Sequence, residues 1–479
     1  MFHTKFQRHR FLNILTSNKI TRHPARFARH ESGAMIIFGL FVFVAILLVS
    51  GIVVDFMRYE SNRIRVQSTA DRATIAAATL RESGDRAALV QEYFDVAGLS
   101  DYLVAVEVTE DAMNSATVRV TTQPSVNTLF MRWVGVDELT SSEGSAAREE
   151  VTNIEISLVL DISGSMRWLD SGGMPRITRL RSSAQQFVSA VLNEDAPDVT
   201  TISIIPYAGT VNPGQEVFSL LGGTAWHAYS HCPDLPRSVF QNTSLPDVGS
   251  MPQAPHFMNW ATDWAWLDWG WCPNEANSIL YHSSNEAELH NFLTNLRLHD
   301  GTGTHYGMRW GISLLDPSSQ WLTATLAQQN AVPSVHKDRP AAWDDPDTLK
   351  VVVLMTDGNI TDQFRPRRGN NVFGRDGVYP TEAEQEILNT THLDALGDSW
   401  RRHVSTLNEN RLDFYSACNL AKDNGVIVYT IAFETNSAGQ TEMRNCASSP
   451  ALFFNAQGLD LDTAFRAIAT SIQSLRLIQ

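Results

Sequence analysis

Residues 34–54, AMIIFGLFVFVAILLVSGIVV, run for 21 positions without a charge. As a helix rising 1.5 Å per residue the run is about 31 Å long, the thickness of a bilayer's hydrocarbon core. A cleaved leader has a shorter apolar region of about 7 to 15 residues and a small-residue cleavage site, and neither is seen here. The run therefore predicts an uncleaved transmembrane helix. Seven cations precede it (Lys5, Arg8, Arg10, Lys19, Arg22, Arg26, Arg29) against the single Glu31, and Asp55 follows it directly. The positive-inside rule then makes residues 1–33 a basic cytoplasmic tail and residues 55–479 the exported part. Later apolar stretches such as 351–355 are only strand-length, so one pass is expected.

The chain beyond the span has to fold in water. Apolar residues make up 43% and charged residues 19%, which excludes a mostly disordered, collagenous or polytopic chain. The formal charge is −15, and setting the basic tail aside leaves the body near −21. Such a body repels phosphate backbones, and no nucleic-acid partner is expected. A length of 479 residues is enough for about three units.

Residues 55–84 contain no Pro, carry Gly only at 84, and place Ile64, Ala70, Ala73, Ala77 and Leu80 at helical intervals, which predicts a helical stalk. Residues 85–150 hold two alternating runs, 102–110 and 116–123, then VNTLFMRWVGV, either helical or extended; together they read as a small α+β membrane-proximal module. Residues 151–479 alternate strands (153–160, 200–207, 349–355, 426–433) with amphipathic helices, including one with Ile177, Leu180, Ala184, Phe187 and Val191 on one stripe and another with Leu461, Phe465, Ile468, Ile472 and Leu475. This pattern encodes an α/β unit with a mostly parallel sheet covered on both faces. Insertions at about 210–284 and 362–408 interrupt it. The first contains Trp260, Trp264, Trp266, Trp269 and Trp271, which form either a sugar-stacking or protein-binding surface or, as we prefer, the insertion's own small core.

Directly after the first of these strands stands Asp161-Ile162-Ser163-Gly164-Ser165, and after the 349–355 strand stands Asp357-Gly358. Loops at the carboxyl edge of an open α/β sheet form its ligand crevice, so the two can share one site. Carboxylate and hydroxyl oxygens suit a hard divalent cation, Mg²⁺ above all. The alternative is an Asx turn and two ordinary turns at strand ends.

The motifs DISGS, GTGTHYGM and LMTDG, in that order, resemble the metal-ion-dependent adhesion site of von Willebrand factor A domains. The resemblance covers about residues 151–478 and implies a doubly wound, mostly parallel sheet. It also implies that Ser163 and Ser165 ligate metal directly, Thr302 does so when ligand is bound, and Asp161 and Asp357 hold the ion directly or through water. Thr302 is preferred to Thr304 because the family threonine typically lies five residues before a small residue, here Gly307. The implied cofactor is Mg²⁺, with Mn²⁺ or Ca²⁺ as substitutes, and the implied ligand is a protein presenting an Asp or Glu. The segment from Arg26 to Ala78 is similar to the N-terminal part of Tad-type Flp pilus-assembly proteins of the TadE/TadG kind, whose larger members also carry a von Willebrand factor A domain. Phe38 departs from the Glu that prepilin-like members carry five residues after the glycine, here Gly33. Together the two resemblances imply a bacterial inner-membrane protein, N-terminus cytoplasmic and body periplasmic or surface-facing, that adheres to other pilus-assembly components and is not an enzyme.

Other chemistries fit less well. Ser163 lies in no G-x-S-x-G, neither serine has the lysine of S-x-x-K, and Gly301, Gly303 and Gly307 follow a helical rather than a strand pattern. A metal-assisted hydrolase using the same cation and a tryptophan-based carbohydrate-binding module remain as alternatives. His227, His231, Cys232 and Cys272 have usable zinc ligands, but an exported compartment and four cysteines favour disulfides. Cys232 with Cys272 and Cys418 with Cys446 are the expected pairs, each within one neighbourhood.

Overall fold

The computed structural model describes residues 32–78, 85–111, 115–150, 153–192, 197–260 and 270–476. The basic tail, Leu80 of the stalk stripe, and Trp264, Trp266 and Trp269 lie outside them. Helix α1 (Ser32–Ala78) carries the apolar run and continues for 47 residues without a break. Among the described residues it is the one helix long and apolar enough to cross a membrane. Beyond the run its buried stripe is Tyr59, Val66, Ala70, Ala73 and Ala77. Ile64, expected on that stripe, is exposed instead: Val66, four residues before Ala70, takes the inward position.

The described residues divide into two compact units, the first made of those within 32–77, 85–108 and 118–147. In it α1 is joined by helix α2 (Arg86–Ala97), capped by the Asp85 carboxylate at one end and closed by left-handed Gly98 at the other. The strands Leu103–Asp111, Ser115–Thr122 and Glu143–Glu150 form a three-stranded sheet, and Ser125–Asn127 pairs with Glu138–Thr140 in a small ribbon. Between the ribbon strands Met131–Val134 winds a single 3-10 turn closed by Gly135. The segment VNTLFMRWVGV is thus a strand end and a turn, too short for either regular element alone. Asn62, Arg63 and Asp71 of α1 bond to Ser125, Glu143 and Ser145 of this unit.

The second unit holds the described residues from 148 to 476, with Ala78 and the described part of 109–117. Its six-stranded sheet is formed by β1 (Asn153–Asp161), β2 (Thr200–Tyr207), β3 (Leu280–Ser283), β4 (Thr348–Thr356), β5 (Ile427–Phe433) and β6 (Phe453–Ala456) in the order β6-β5-β4-β1-β2-β3. All neighbours are parallel except β3 against β2, so the sheet is mixed. Strands β1 and β2 are buried almost throughout, which is why they read as continuous apolar runs.

Each face carries its own helices. On one side Ile154, Ile156, Leu158 and Leu160 of β1 pack with α3 (Arg176–Val191), α4 (Glu286–Thr294) and α8 (Asp460–Arg476) through Leu180, Phe187, Leu289, Phe465 and Ile468. On the other, Val159, Ile205, Val352 and Leu354 meet α5 (Thr304–Ser313), α6 (Leu407–Asp423) and α7 (Ser437–Cys446) through Met308, Ile312, Phe414 and Met443. Helix α5 comes closest to the sheet. A Cβ at Gly307 would stand 2.6 Å from Tyr207 Cδ1 and 2.9 Å from Val159 Cγ1, and one at Gly311 would stand 2.8 Å from Val159 Cγ2. The two glycines on one helical face let its backbone lie directly on β1 and β2.

The two insertions fold against each other. Phe257 and Trp271 of the first share a core with Phe373, Leu388 and Leu393 of the second, and Trp260 and Phe364 pack on its edge. Trp271 is therefore a core side chain, in a core shared with the second insertion rather than the first insertion's own, and Trp260 is half-buried at its edge. Asp234 is buried between the guanidiniums of Arg365 and Arg375. The second insertion contributes a hairpin-like pair, Gln363–Arg368 with Arg401–Ser405. Both expected disulfides are present, Cys232–Cys272 and Cys418–Cys446. Cys232 and Cys272 are consumed by that bond and offer zinc no thiolate.

Candidate functional site

Strands β1 and β4 are parallel neighbours and end at the same edge, which carries the Asp161 and Asp357 loops to one place although the residues are far apart in sequence. Asp161 closes β1 with its side chain fully buried. Its Oδ1 accepts the Ser163 N–H at 2.8 Å, and its Oδ2 accepts the Thr356 hydroxyl at 2.6 Å and the Tyr207 hydroxyl at 3.4 Å. The first of these bonds shapes the turn that follows. Ser163 Oγ and Ser165 Oγ lie 3.0 Å apart, and the Ser165 hydroxyl donates to Asp357 Oδ1 at 2.6 Å. A continuous chain of oxygens thus joins the two loops.

Thr302 reaches the same spot from the loop before α5. A side chain at Gly358 would meet Ser165 Oγ at 3.6 Å and Thr302 Oγ1 at 3.7 Å, so both hydroxyls border the space that glycine leaves. The threonine loop is held from behind. Gly301 has φ +80°, and a Cβ there would strike Gly209 Cα and the Trp271 ring at 2.8 Å, while one at Gly303 would come 2.5 Å from Gly209 O. Thr361 bonds Thr302 on its backbone N–H and C=O. Thr304 lies one step deeper, opening α5 with its hydroxyl toward Tyr207. The structure therefore brings Asp161, Ser163, Ser165, Thr302 and Asp357 together and leaves Thr304 beneath them.

The electrostatics are those of two buried acids facing each other. Burial raises the Asp161 carboxyl above its ordinary value against the bonds from Ser163 and Thr356. Burial, then the Asp161 charge, pushes Asp357 up to about 7 in spite of Ser165 and Arg176. The Arg176 guanidinium, at the start of α3, donates to Asp357 Oδ2 at 2.9 Å and is the cation already on the pair. Beside the oxygens opens a polar cleft of about 260 Å³, lined by Ser165, Arg167, Trp168, Trp260, Asp300 and Thr302. Arg167 stacks on Trp168 at 4.3 Å, giving the cleft a cationic, aromatic rim. Asp300 is buried in the wall, where burial raises it to about 6 against the amides of Asn259 and Trp260 that bond it.

Four of these residues escape a reading of the sequence. Thr356 stands inside LMTDG and Asp300 directly before GTGTHYGM, so both could be found from those motifs. Tyr207 and Arg176 arrive from other elements and leave no local signal. Among the described residues no group of three or more His, Cys, Asp or Glu is placed to hold a metal, so a cation here would depend on hydroxyl oxygen.

Residues 33–80 match the Tad family model, described as Flp pilus-assembly TadE/G-like. No curated protein matches the sequence. Among solved structures, the pilus adhesin SpaC from Lactobacillus rhamnosus GG aligns at 14% identity and TM-score 0.34, covering 78% of this chain and 34% of its own. The chain thus spans about a third of that adhesin's length. The von Willebrand factor domain of the type V pili tip protein Mfa5 from Porphyromonas gingivalis aligns at 13% identity and TM-score 0.35, covering 68% of this chain and 97% of its own. The pilus adhesin RrgA from Streptococcus pneumoniae aligns at 10% identity and TM-score 0.31, covering 78% and 50%. With TM-scores below 0.5, these likenesses decide neither fold nor function.

Proposed function

We propose that the chain is a membrane-anchored adhesion component of Flp/Tad pilus assembly whose von Willebrand factor A-type, doubly wound domain binds a partner protein through a divalent cation. The observation that carries this reading is the chain of oxygens from Ser163 through Ser165 to Asp357, above a buried Asp161 and beside Thr302. The donor set fits a hard cation: three neutral hydroxyls, two carboxylates and no soft ligand. Two buried acids, both raised by burial and Asp357 also by the Asp161 charge, gain from a positive charge placed beside them.

Asp161, Ser163, Ser165, Thr302 and Asp357 would hold Mg²⁺, with Mn²⁺ or Ca²⁺ as substitutes; when bound, the ion supplies an electrophile that an acidic side chain of the partner can complete. The protein's own residues do the rest. Asp161 fixes the serine turn, Thr361 and the glycines fix Thr302, and the Arg167–Trp168 rim favours an acidic approach. The match at residues 33–80 supports the pilus context and the single anchor. The proposed setting is a bacterial inner membrane, N-terminus inside and body periplasmic or surface-facing. The domain division proposed is 1–33 tail, 34–54 span, 55–84 stalk, 85–150 module and 151–479 binding domain.

Calorimetric titration of Mg²⁺ and Mn²⁺ into the full chain in nanodiscs, beside Asp161→Ala, tests the reading. Binding by the parent and its loss in the folded variant is expected, along with release of captured pilus-assembly proteins by EDTA. Equal binding by the two proteins would refute it.

A further inference from the structure

We propose that Leu129–Val134 is a membrane-interface foot, seated in the lipid surface where α1 leaves the bilayer. The proposal rests on reading residues 34–54 as the membrane span and adds a second lipid contact to it.

The depth of this segment is set by direct packing. Gly51 lies three residues before the apolar run ends, about 4.5 Å along the helix. It is buried, and a Cβ there would collide with Phe130 Cβ, Cγ and Cδ1, so the Phe130 side chain packs directly against the last turn of the span. One turn further on, the Asp55 carboxylate is fully buried and receives three successive backbone N–H groups, those of Leu129 at 2.9 Å, Phe130 at 2.7 Å and Met131 at 2.8 Å. Those amides form the open N-terminus of the 3-10 turn Met131–Val134. Arg58 bonds to Asn127 O at 3.4 Å and Asn62 to Ser125 O at 3.2 Å, which fastens the preceding strand to the helix as well. The segment is pinned at this height.

The side chains it turns outward are large and apolar: Leu129 is 52% exposed, Trp133 77% and Val134 56%. At the same level of α1, Val53, Val54, Phe56 and Met57 are exposed as well. So many exposed apolar side chains at one height are a liability in water. At the edge of a bilayer they are the expected composition, since Trp favours the headgroup level and a cation such as exposed Arg132 can stretch toward lipid phosphate. The occupant is assigned as lipid because Phe130 packs on Gly51, inside the span, and Asp55 holds 129–131 one turn beyond it.

The test uses the full chain in phosphatidylcholine–phosphatidylglycerol vesicles, with a nitroxide on a single added cysteine. Trp133→Cys is the probe, Val44→Cys the reference for the hydrocarbon and Glu107→Cys the reference for water. Relative collision with oxygen and with a water-soluble nickel chelate should place 133 between the two references, and adding Asp55→Ala should shift it toward 107. If 44 is lipid-buried and 133 matches 107, the foot is wrong while the span stands. If 44 is itself open to nickel, the span fails and the foot with it. Shielding of 133 from both reagents with spin–spin broadening would mean that a second copy covers the patch, and would overturn the proposal.

Discussion

Gly307→Ala sets two known effects against each other, and the structure decides between them. Inside a helix alanine is favoured over glycine by about 1 kcal/mol, so propensity alone predicts a more stable protein. Against this, the new methyl would lie 2.6 Å from Tyr207 Cδ1, 2.9 Å from Tyr207 Cγ and 2.9 Å from Val159 Cγ1. None of these atoms can retreat cheaply: the Tyr207 hydroxyl is tied to Met355 O at 3.1 Å, and Val159 sits in the middle of β1. Overpacking of a full core costs about 1–3 kcal/mol, and three such contacts belong at the upper end. The net expectation is a loss of about 2 kcal/mol. With an unfolding entropy near 2.1 cal/mol/K per residue over a unit of roughly 330 residues, that is a fall of about 3 °C in midpoint. Gly311→Ala meets only Val159 Cγ2 under 3 Å and should come out near zero, the helical gain offsetting the crowding. Scanning calorimetry on both variants in nanodiscs would read the difference. A rise in midpoint for Gly307→Ala would refute the argument, because it would mean that α5 can lift off the sheet without cost. Since α5 begins at Thr304, two residues past Thr302, the same displacement should weaken Mg²⁺ binding more for Gly307→Ala than for Gly311→Ala.

Arg176→Gln removes the cation already bonded to Asp357 and should tighten Mg²⁺ binding about tenfold, or about 1.4 kcal/mol; titration should be run at a pH above the Asp357 value of about 7, and an unchanged Kd would mean that metal and Asp357 do not meet. Asp234 is buried, which alone would raise its carboxyl, but Arg365 and Arg375 bring it down to about 2. A folded value below the unfolded 3.8 contributes stability above that pH and loses it as pH falls from about 4 to 2. Asp234→Asn should remove roughly 2 kcal/mol of acid dependence in that window, monitored by tryptophan fluorescence, and an identical acid profile would reject the pairing. Replacing both Cys418 and Cys446 by Ala opens a loop with a sequence separation of 28 and should cost about 3.5 kcal/mol in denaturant titration, whereas a cost below about 1 kcal/mol would contradict the loop-entropy account.

The inner strands are legible in the sequence because burial on both faces forces a continuous apolar run, as in ISLVL before Asp161 and VVVLM before Thr356. The edge strands are not. Leu280–Ser283 is four residues with one aliphatic side chain, and Phe453–Ala456 is equally short and half exposed. Helix α7, SAGQTEMRNC, is hard to see because its apolar contribution to the core is little more than Met443 and Cys446. At the site, the serine turn and the Asp357 loop announce themselves through local spacing, since each shapes its own backbone. Arg176 and Tyr207 reach the acids across 181 and 46 positions of chain, a distance that only the folded sheet closes. The expectation for Ile64 fails by a register of two residues, an ordinary consequence of reading an Ala-rich stripe in which few side chains mark the face.

Both margins of the central sheet are four-residue strands, β3 with an irregular register against β2, and β6. A margin this short exposes few unpaired backbone groups, so it offers little template on which a foreign strand could be laid down. Addition of a strand from another chain needs an open edge to pair with, and edges of four residues give it little length to use. Backbone pairing at either margin is therefore disfavoured, and side chains are the less restricted means by which this domain could meet another protein.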